Sequence, residues 1–97
     1  MDFQVRISQA ALTDFAEILN YSWVNFPGAA ERFGNTLLNH VELLRGFPHI
    51  GSPVEGRAGI RQLVHTPILI YYRVDAARKL VEILHFWHAS RSREDLV

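Results

Sequence analysis

The spacing of apolar residues changes along the chain, and each spacing predicts a different element. Phe3, Val5 and Ile7 alternate with polar residues, which predicts a half-buried strand over residues 3–7. Ser8 then suits a helix N-cap, because its hydroxyl can accept a hydrogen bond from a free amide of the first turn. Beyond it, apolar residues recur every three or four positions and predict a helix of about four turns. We expect its core-facing stripe to contain Leu12, Phe15, Ile18, Leu19 and Trp23.

A second helix is predicted after an interruption at residues 25–28. Pro27 would break the first helix, yet its fixed φ suits the first turn of the next one. Gly46 is expected to end the second helix as a left-handed cap. The connection between the helices is short, so they should form an antiparallel hairpin. The second apolar stripe comprises Ala30, Phe33, Leu37, Val41 and Leu44.

The second half of the chain predicts a meander of strands. Residues 49–59 hold three glycines and a proline, which predicts a loop that serves backbone turns. Strands are predicted over residues 59–65, 68–74 and 79–88, with a hairpin turn at 75–78. The fold class is therefore α+β: an N-terminal strand, an antiparallel helical hairpin and a three-stranded antiparallel meander, with the helices packed on one sheet face. At 97 residues we expect a single domain over residues 1–97.

Successive side chains of a strand point to opposite faces, so the strand residues can be sorted. In the last strand this rule separates Leu84 and Phe86 from Ile83. We expect the more polar face of the meander to lie away from the helices, open to water or a partner. That face carries Tyr71, Arg73, His85 and Trp87, with Ile83 beside them.

Composition limits the class of protein. The chain has no cysteine, which excludes disulfides and thiolate metal sites and fits a reducing cytoplasm. Its first residues lack a signal-peptide pattern, and no apolar run approaches the roughly 18–20 residues of a membrane span. We therefore expect a soluble, cytoplasmic protein that has no membrane partner.

Charge is balanced overall but not along the chain. Net charge is zero, whereas proteins that depend on phosphate contacts usually carry a basic excess. Residues 1–48 hold three basic and five acidic side chains, and residues 49–97 hold seven basic and five acidic ones. This mild asymmetry permits an anionic partner at the C-terminal end without requiring one.

Arginine, histidine and aromatic residues crowd into the closing third of the chain, which is where we expect a working surface. The candidates for binding a target or partner are Arg61, Tyr71, Arg73, His85, Trp87, His88, Arg91 and Arg93. Each has a plainer structural interpretation. The functional interpretation of Arg61 and Arg73 is contact with an anionic partner. The structural interpretation is that they form ion pairs with Glu82 or Asp75.

The aromatic and histidine candidates leave similar alternatives. Tyr71 and Trp87 either anchor a partner or pack beneath the C-terminal tail. His88 either acts as a general acid or base, or caps the end of a strand. His85 and His88 lie three residues apart on one strand and point to opposite faces, so we expect no metal site and no cofactor.

Six short motifs follow one another through nearly the whole chain. They are ALTDF at 11–15, PGAAER at 27–32, FPHIG at 47–51, GIRQL at 59–63, IYYRV at 70–74 and ILHFWHASR at 83–91. Their order and spacing resemble the RelE/ParE superfamily of bacterial toxins, which includes proteins described as plasmid stabilisation proteins. RelE-like members cleave messenger RNA in the ribosomal A site, and ParE-like members poison DNA gyrase.

The resemblance also implies partners. Toxins of this superfamily are silenced by a cognate antitoxin whose disordered tail folds around them. It therefore implies a heteromeric complex with the antitoxin, such as a heterotetramer, and an isolated toxin that is a monomer or a homodimer. The target that it implies is either gyrase or the ribosome and its mRNA.

The motifs lie closer to the ParE-like branch. The nuclease branch places cations around the scissile phosphate to stabilise developing charge. Here Ile60 and Gln62 stand at its lysine positions and Leu69 at its arginine position, and no tyrosine follows His88. The GIRQL motif, the Tyr-Arg pair ending at Arg73 and the closing histidine and arginine resemble the gyrase branch instead.

Three hypotheses follow for this chain. The first is a toxin that binds and poisons gyrase. The second is a ribosome-dependent endoribonuclease, whose weak catalytic candidates are Arg61, Arg73, His88 and Arg91. The third is a non-toxic family member that serves only as a binding partner.

Overall fold

Two helices and five strands make up residues 2–90, the part of the chain that the computed structural model describes. The strands are β1 (Gln4–Ile7), β2 (Ser52–Pro53), β3 (Ile60–His65), β4 (Ile68–Asp75) and β5 (Leu80–His88). The helices are α1 (Gln9–Asn25) and α2 (Ala30–Glu42), and a 3-10 turn (Leu43–Arg45) follows α2.

The strands form one mixed sheet in the order β1-β5-β4-β3-β2. Strands β3, β4 and β5 are the predicted antiparallel meander, whereas β1 pairs in parallel with β5 and β2 adds a two-residue edge strand. Leu37 of α2 packs with Ile70 and Phe86 of the sheet in the main core. The predicted α+β class, with the helical hairpin on one sheet face, is confirmed.

Helix α1 begins where the sequence predicts, but only part of its expected stripe reaches the core. Ser8 Oγ accepts a hydrogen bond from the Ala11 amide at 3.1 Å. Ala11 is fully buried, and Phe15 packs against the same core. The prediction that Leu12 and Trp23 face the core is wrong, since they are 47% and 54% exposed. At 3.6 residues per turn they lie about 100–120° around the helix from Ala11, beyond the covered face.

The stripe of α2 matches its prediction. Ala30, Leu37, Val41 and Leu44 are buried, and Phe33 packs against the same core. The left-handed cap predicted at Gly46 is wrong: its φ is −95°, because a 3-10 turn continues the chain after α2. Neither helix within residues 2–90 combines the length and apolar character needed to cross a bilayer.

A β-bulge in β5 changes which face its residues occupy. Tyr71 pairs with His85 but the next residue, Tyr72, pairs with Ile83, so Leu84 is an additional residue in this strand. Ile83 therefore lies with Phe86 in the main core and is fully buried. The prediction that Ile83 shares the face of Trp87 is wrong, because strict alternation does not continue through the bulge.

Candidate functional site

The outer face, meaning the sheet face turned away from the helices, carries a second small core. Tyr71 is 2% exposed and Trp87 5% exposed, and both pack with Val54 from the loop after β2. Ile60 and Leu69 complete the cluster. The prediction that Tyr71 and Trp87 lie open on this face is wrong, because the cluster buries them. Their burial fits the packing alternative, although the C-terminal tail named in that alternative lies outside residues 2–90.

A charged ladder crosses three strands beside this cluster. The Glu82 carboxylate on β5 accepts hydrogen bonds from Arg6 Nη2 on β1 and from Arg73 Nη2 on β4, each at 2.7 Å. These bonds, with that of Arg6 the larger contribution, hold the pKa of Glu82 below its usual value. The structural ion pair considered for Arg73 is present. More than half of each arginine side chain stays exposed, so the ladder remains accessible to a partner.

Arg61 has a structural role on the opposite sheet face. It pairs with Tyr72 across β3 and β4, whereas Arg73 pairs with Ile60, which places the two arginines on opposite faces. Arg61 Nη1 donates to the Gly51 carbonyl at 2.7 Å and to the His49 carbonyl at 3.3 Å. The guanidinium therefore fastens the loop before β2 to the sheet.

His85 is tied to helix α1, so the prediction that it lies away from the helices is wrong. Its Nδ1 lies 2.9 Å from Asp14 Oδ2, and the same oxygen accepts the Phe86 amide at 3.1 Å. Asp14 thus joins α1 to β5 just beyond the end of β1. It also provides a hydrogen-bond acceptor for the Phe86 amide at this edge of the sheet. Sequence reasoning did not single out Asp14, although an acidic residue three positions from Ala11 on the buried side of a helix signals a specific partner.

His88 stands at the open end of β5. Its Nδ1 accepts the Ser90 amide at 3.1 Å and lies 2.7 Å from Ser90 Oγ, which fits the interpretation of His88 as a strand-end cap. The residue also borders a largely apolar groove of about 610 Å³ between α1, α2 and the β3–β4 turn. Sequence reasoning missed this groove, because its two walls come from distant parts of the chain. They include Ile18, Tyr21, Phe26, Phe33, Pro67 and Ile68.

The candidate catalytic residues are not brought to one place. Arg61 and Arg73 occupy opposite sheet faces and already bind other groups. His88 lies six residues beyond Glu82 along β5, which is roughly 18–20 Å at the rise of a strand. Arg91 and Arg93 lie outside the described residues. The arrangement offers two surfaces for binding, the charged ladder and the apolar groove.

Most of the chain matches the model of one protein family. The model of the ParE toxin of type II toxin–antitoxin systems (parDE) matches residues 5–93. The chain belongs to the ParE toxin family. The predicted membership of the RelE/ParE superfamily is thereby confirmed, and the match covers both surfaces described above. No curated protein matches the chain by sequence.

Solved structures agree on the fold of this ParE family member. The chromosomal ParDE toxin–antitoxin system of P. aeruginosa matches with a TM-score of 0.81 at 22% identity, over 91% of this chain and 97% of that one. The RelBE2 toxin–antitoxin complex of Mycobacterium tuberculosis gives 0.72 at 21% identity, over 91% and 99%. A mutant of the E. coli toxin RelE in the free state gives 0.71 at 12% identity, over 96% and 90%.

Proposed function

We propose that this ParE family toxin arrests growth by binding and poisoning DNA gyrase in the cytoplasm, and that a cognate antitoxin holds it inactive. The observation that carries the gyrase target is the separation of the residues considered for catalysis. Arg61 fastens a loop, Arg73 binds Glu82, and His88 caps a strand end, each in a different place. Such an arrangement suits a toxin that acts by occupying its target.

Cleavage of RNA without a metal would require a different arrangement. A general base, a general acid and cations must lie within hydrogen-bond reach of one phosphate. Within residues 2–90 the three catalytic candidates, Arg61, Arg73 and His88, are divided between two sheet faces and two ends of the sheet. The hydrophobic side chains of Ile60 and Leu69 stand where the nuclease branch has cations, and both pack in the second small core.

The apolar groove is the surface that we propose for the antitoxin. Tyr21 and Phe26 border it with exposures of 63% and 61%, which is high for aromatic side chains. An amphipathic helix lays its apolar face into such grooves. Glu17 also borders the groove, so a basic residue of the antitoxin beside it would complement its charge.

Induced expression separates the candidate targets. We expect growth arrest with gyrase-linked breaks in chromosomal DNA. Primer extension should find ribosome-bound messages intact. Message cuts that disappear in the Arg73→Ala variant would establish the nuclease instead. Normal growth on induction, with the toxin present at a normal level, would identify a non-toxic family member.

A further inference from the structure

A second cleft, of about 370 Å³, lies beside the β4–β5 turn. It shares no lining residue with the apolar groove proposed for the antitoxin. Three of its lining residues are arginines, namely Arg6, Arg73 and Arg78. Two carboxylates, Asp75 and Glu82, also line it, so three cations face two anions and one net positive charge remains.

Glu82 fixes two of these arginines in place. Its side chain is 19% exposed, and within the described residues it accepts hydrogen bonds from Nη2 of Arg6 and Nη2 of Arg73, each at 2.7 Å. A guanidinium carries five N–H donors, so each arginine keeps donors that bind nothing else within residues 2–90. The shared carboxylate therefore holds two guanidinium groups side by side, each with unused donors. Because both side chains are already restricted, binding a ligand costs them less conformational entropy.

Arg78 adds a third donor group to the cleft. Its backbone amide donates to Asp75 Oδ1 at 3.1 Å, which fixes the turn that carries it. Its guanidinium makes no hydrogen bond or ion pair within the described residues.

We propose that this cleft binds a phosphate of a nucleic-acid backbone. A planar guanidinium can donate two parallel hydrogen bonds to the oxygens of a phosphate. Because one carboxylate is shared by two arginines, each guanidinium keeps donors that are available for such bonds. Contacts to the backbone carry no sequence information, so the binding is independent of base sequence. This inference does not rest on gyrase as the target, because it concerns a contact made by the toxin alone.

Binding of a short fluorescein-labelled DNA duplex, followed by fluorescence anisotropy at several salt concentrations, tests the cleft. The variants are Arg78→Ala and Arg73→Ala, and the control is Arg32→Ala on the exposed surface of α2. All three remove one positive charge, so a purely non-specific attraction would weaken equally in each. Circular dichroism confirms that each variant is folded, and inorganic phosphate serves as competitor.

We expect the two cleft variants to bind about tenfold more weakly, with a salt slope smaller by about one, and the control to change less than about twofold. Inorganic phosphate should displace the duplex from the wild type. An equal loss in all three variants, or no loss in any, would overturn the proposal. Binding of inorganic phosphate without binding of DNA would also overturn it, in favour of a site for free phosphate. Each of these failures leaves the gyrase proposal standing, since gyrase is absent from the assay.

Discussion

Gly51 occupies a space that no side chain can share. A Cβ atom there would lie 2.6 Å from the Gln62 carbonyl oxygen and 2.7 Å from Tyr72 Oη. The Gly51 amide donates to that same hydroxyl at 2.8 Å, and its carbonyl accepts from Arg61. Burial raises the pKa of Tyr72 further above its usual value. One residue therefore joins the loop before β2 to both β3 and β4.

Replacing Gly51 by alanine should lower the free energy of unfolding by about 1–3 kcal/mol, because the backbone must shift to admit the methyl group. Gly46→Ala is the matched control: its Cβ would meet nothing within 4 Å and its φ is −95°. That variant should be unchanged or up to about 1 kcal/mol more stable. Urea unfolding measures both. Equal effects of the two substitutions would contradict this account of Gly51.

A histidine pair between α2 and β3 makes stability depend on pH. The Nδ1 atoms of His40 and His65 lie 2.8 Å apart, so one ring donates and the other must be a neutral acceptor. Burial first, and then the charge of His40, lower the pKa of His65 from its usual 6.5. The folded chain thus takes up this proton at a lower pH than the unfolded chain does.

The contribution of His65 to stability should therefore be complete above about pH 6.5 and fall as the pH falls through its folded pKa. Urea unfolding at pH 7.5 and pH 5.5 measures this loss. In the His65→Gln variant the same pH step should remove less stability, because the lowered pKa is gone. An identical pH dependence in wild type and variant would show that the pair does not carry the effect.

At the scale of elements, Asp14 is the link between the helical layer and the sheet. Asp14→Ala should cost about 1–3 kcal/mol of unfolding free energy, since the Phe86 amide and His85 Nδ1 would both lose their acceptor. Glu17→Ala on the exposed side of the same helix should stay within about 0.5 kcal/mol of wild type. Thermal or urea unfolding compares them. Equal stability of the two variants would contradict the role of Asp14.

The two helices show which patterns a sequence can resolve. The apolar residues of α2 lie on one side only, so the predicted stripe is the observed one. Helix α1 has apolar residues all round, and Leu12, Trp23 and Val24 remain exposed. A helix of that kind is expected to be covered on several sides, and a sequence cannot tell which side meets the chain's own core.

The strands divide in the same way. Strand β4 alternates without interruption, and its predicted faces are those of the structure. Strand β5 contains a bulge that shifts Ile83 to the core, and no residue type marks its position in the sequence. The parallel pairing of β1 with β5 also depends on how the helical hairpin crosses the sheet, which local patterns do not encode.

At the scale of the whole molecule, the closing third of the chain was the right place to look for charged groups but not for an open aromatic surface. Sequence reasoning left Arg73 open between an anionic partner and an ion pair, of which the structure shows a pair with Glu82, and it favoured the strand-end cap for His88. It left Tyr71 and Trp87 open between anchoring a partner and packing, and it did not predict their packing against Val54, because Val54 comes from a loop whose path depends on the folded sheet.

The apolar groove makes a prediction about the antitoxin. Tyr21→Glu should weaken binding of the antitoxin about tenfold or more, because the new carboxylate would be buried against the apolar face of the antitoxin helix. Val64→Glu is the control, since Val64 is 53% exposed on the outer face, away from the groove. Isothermal titration with the purified antitoxin measures both. Unchanged affinity of Tyr21→Glu, or equal losses in the two variants, would remove the groove as the docking site.

The gyrase target is tested most directly by supercoiling of relaxed plasmid DNA with purified gyrase and increasing amounts of the toxin. We expect supercoiling to stop, cleaved plasmid to accumulate when gyrase is trapped with protein denaturant, and prior addition of the antitoxin to restore the reaction. A cell-free translation reaction at the same toxin concentration should proceed normally. Full supercoiling beside blocked translation would contradict the account and identify the ribosome as the target.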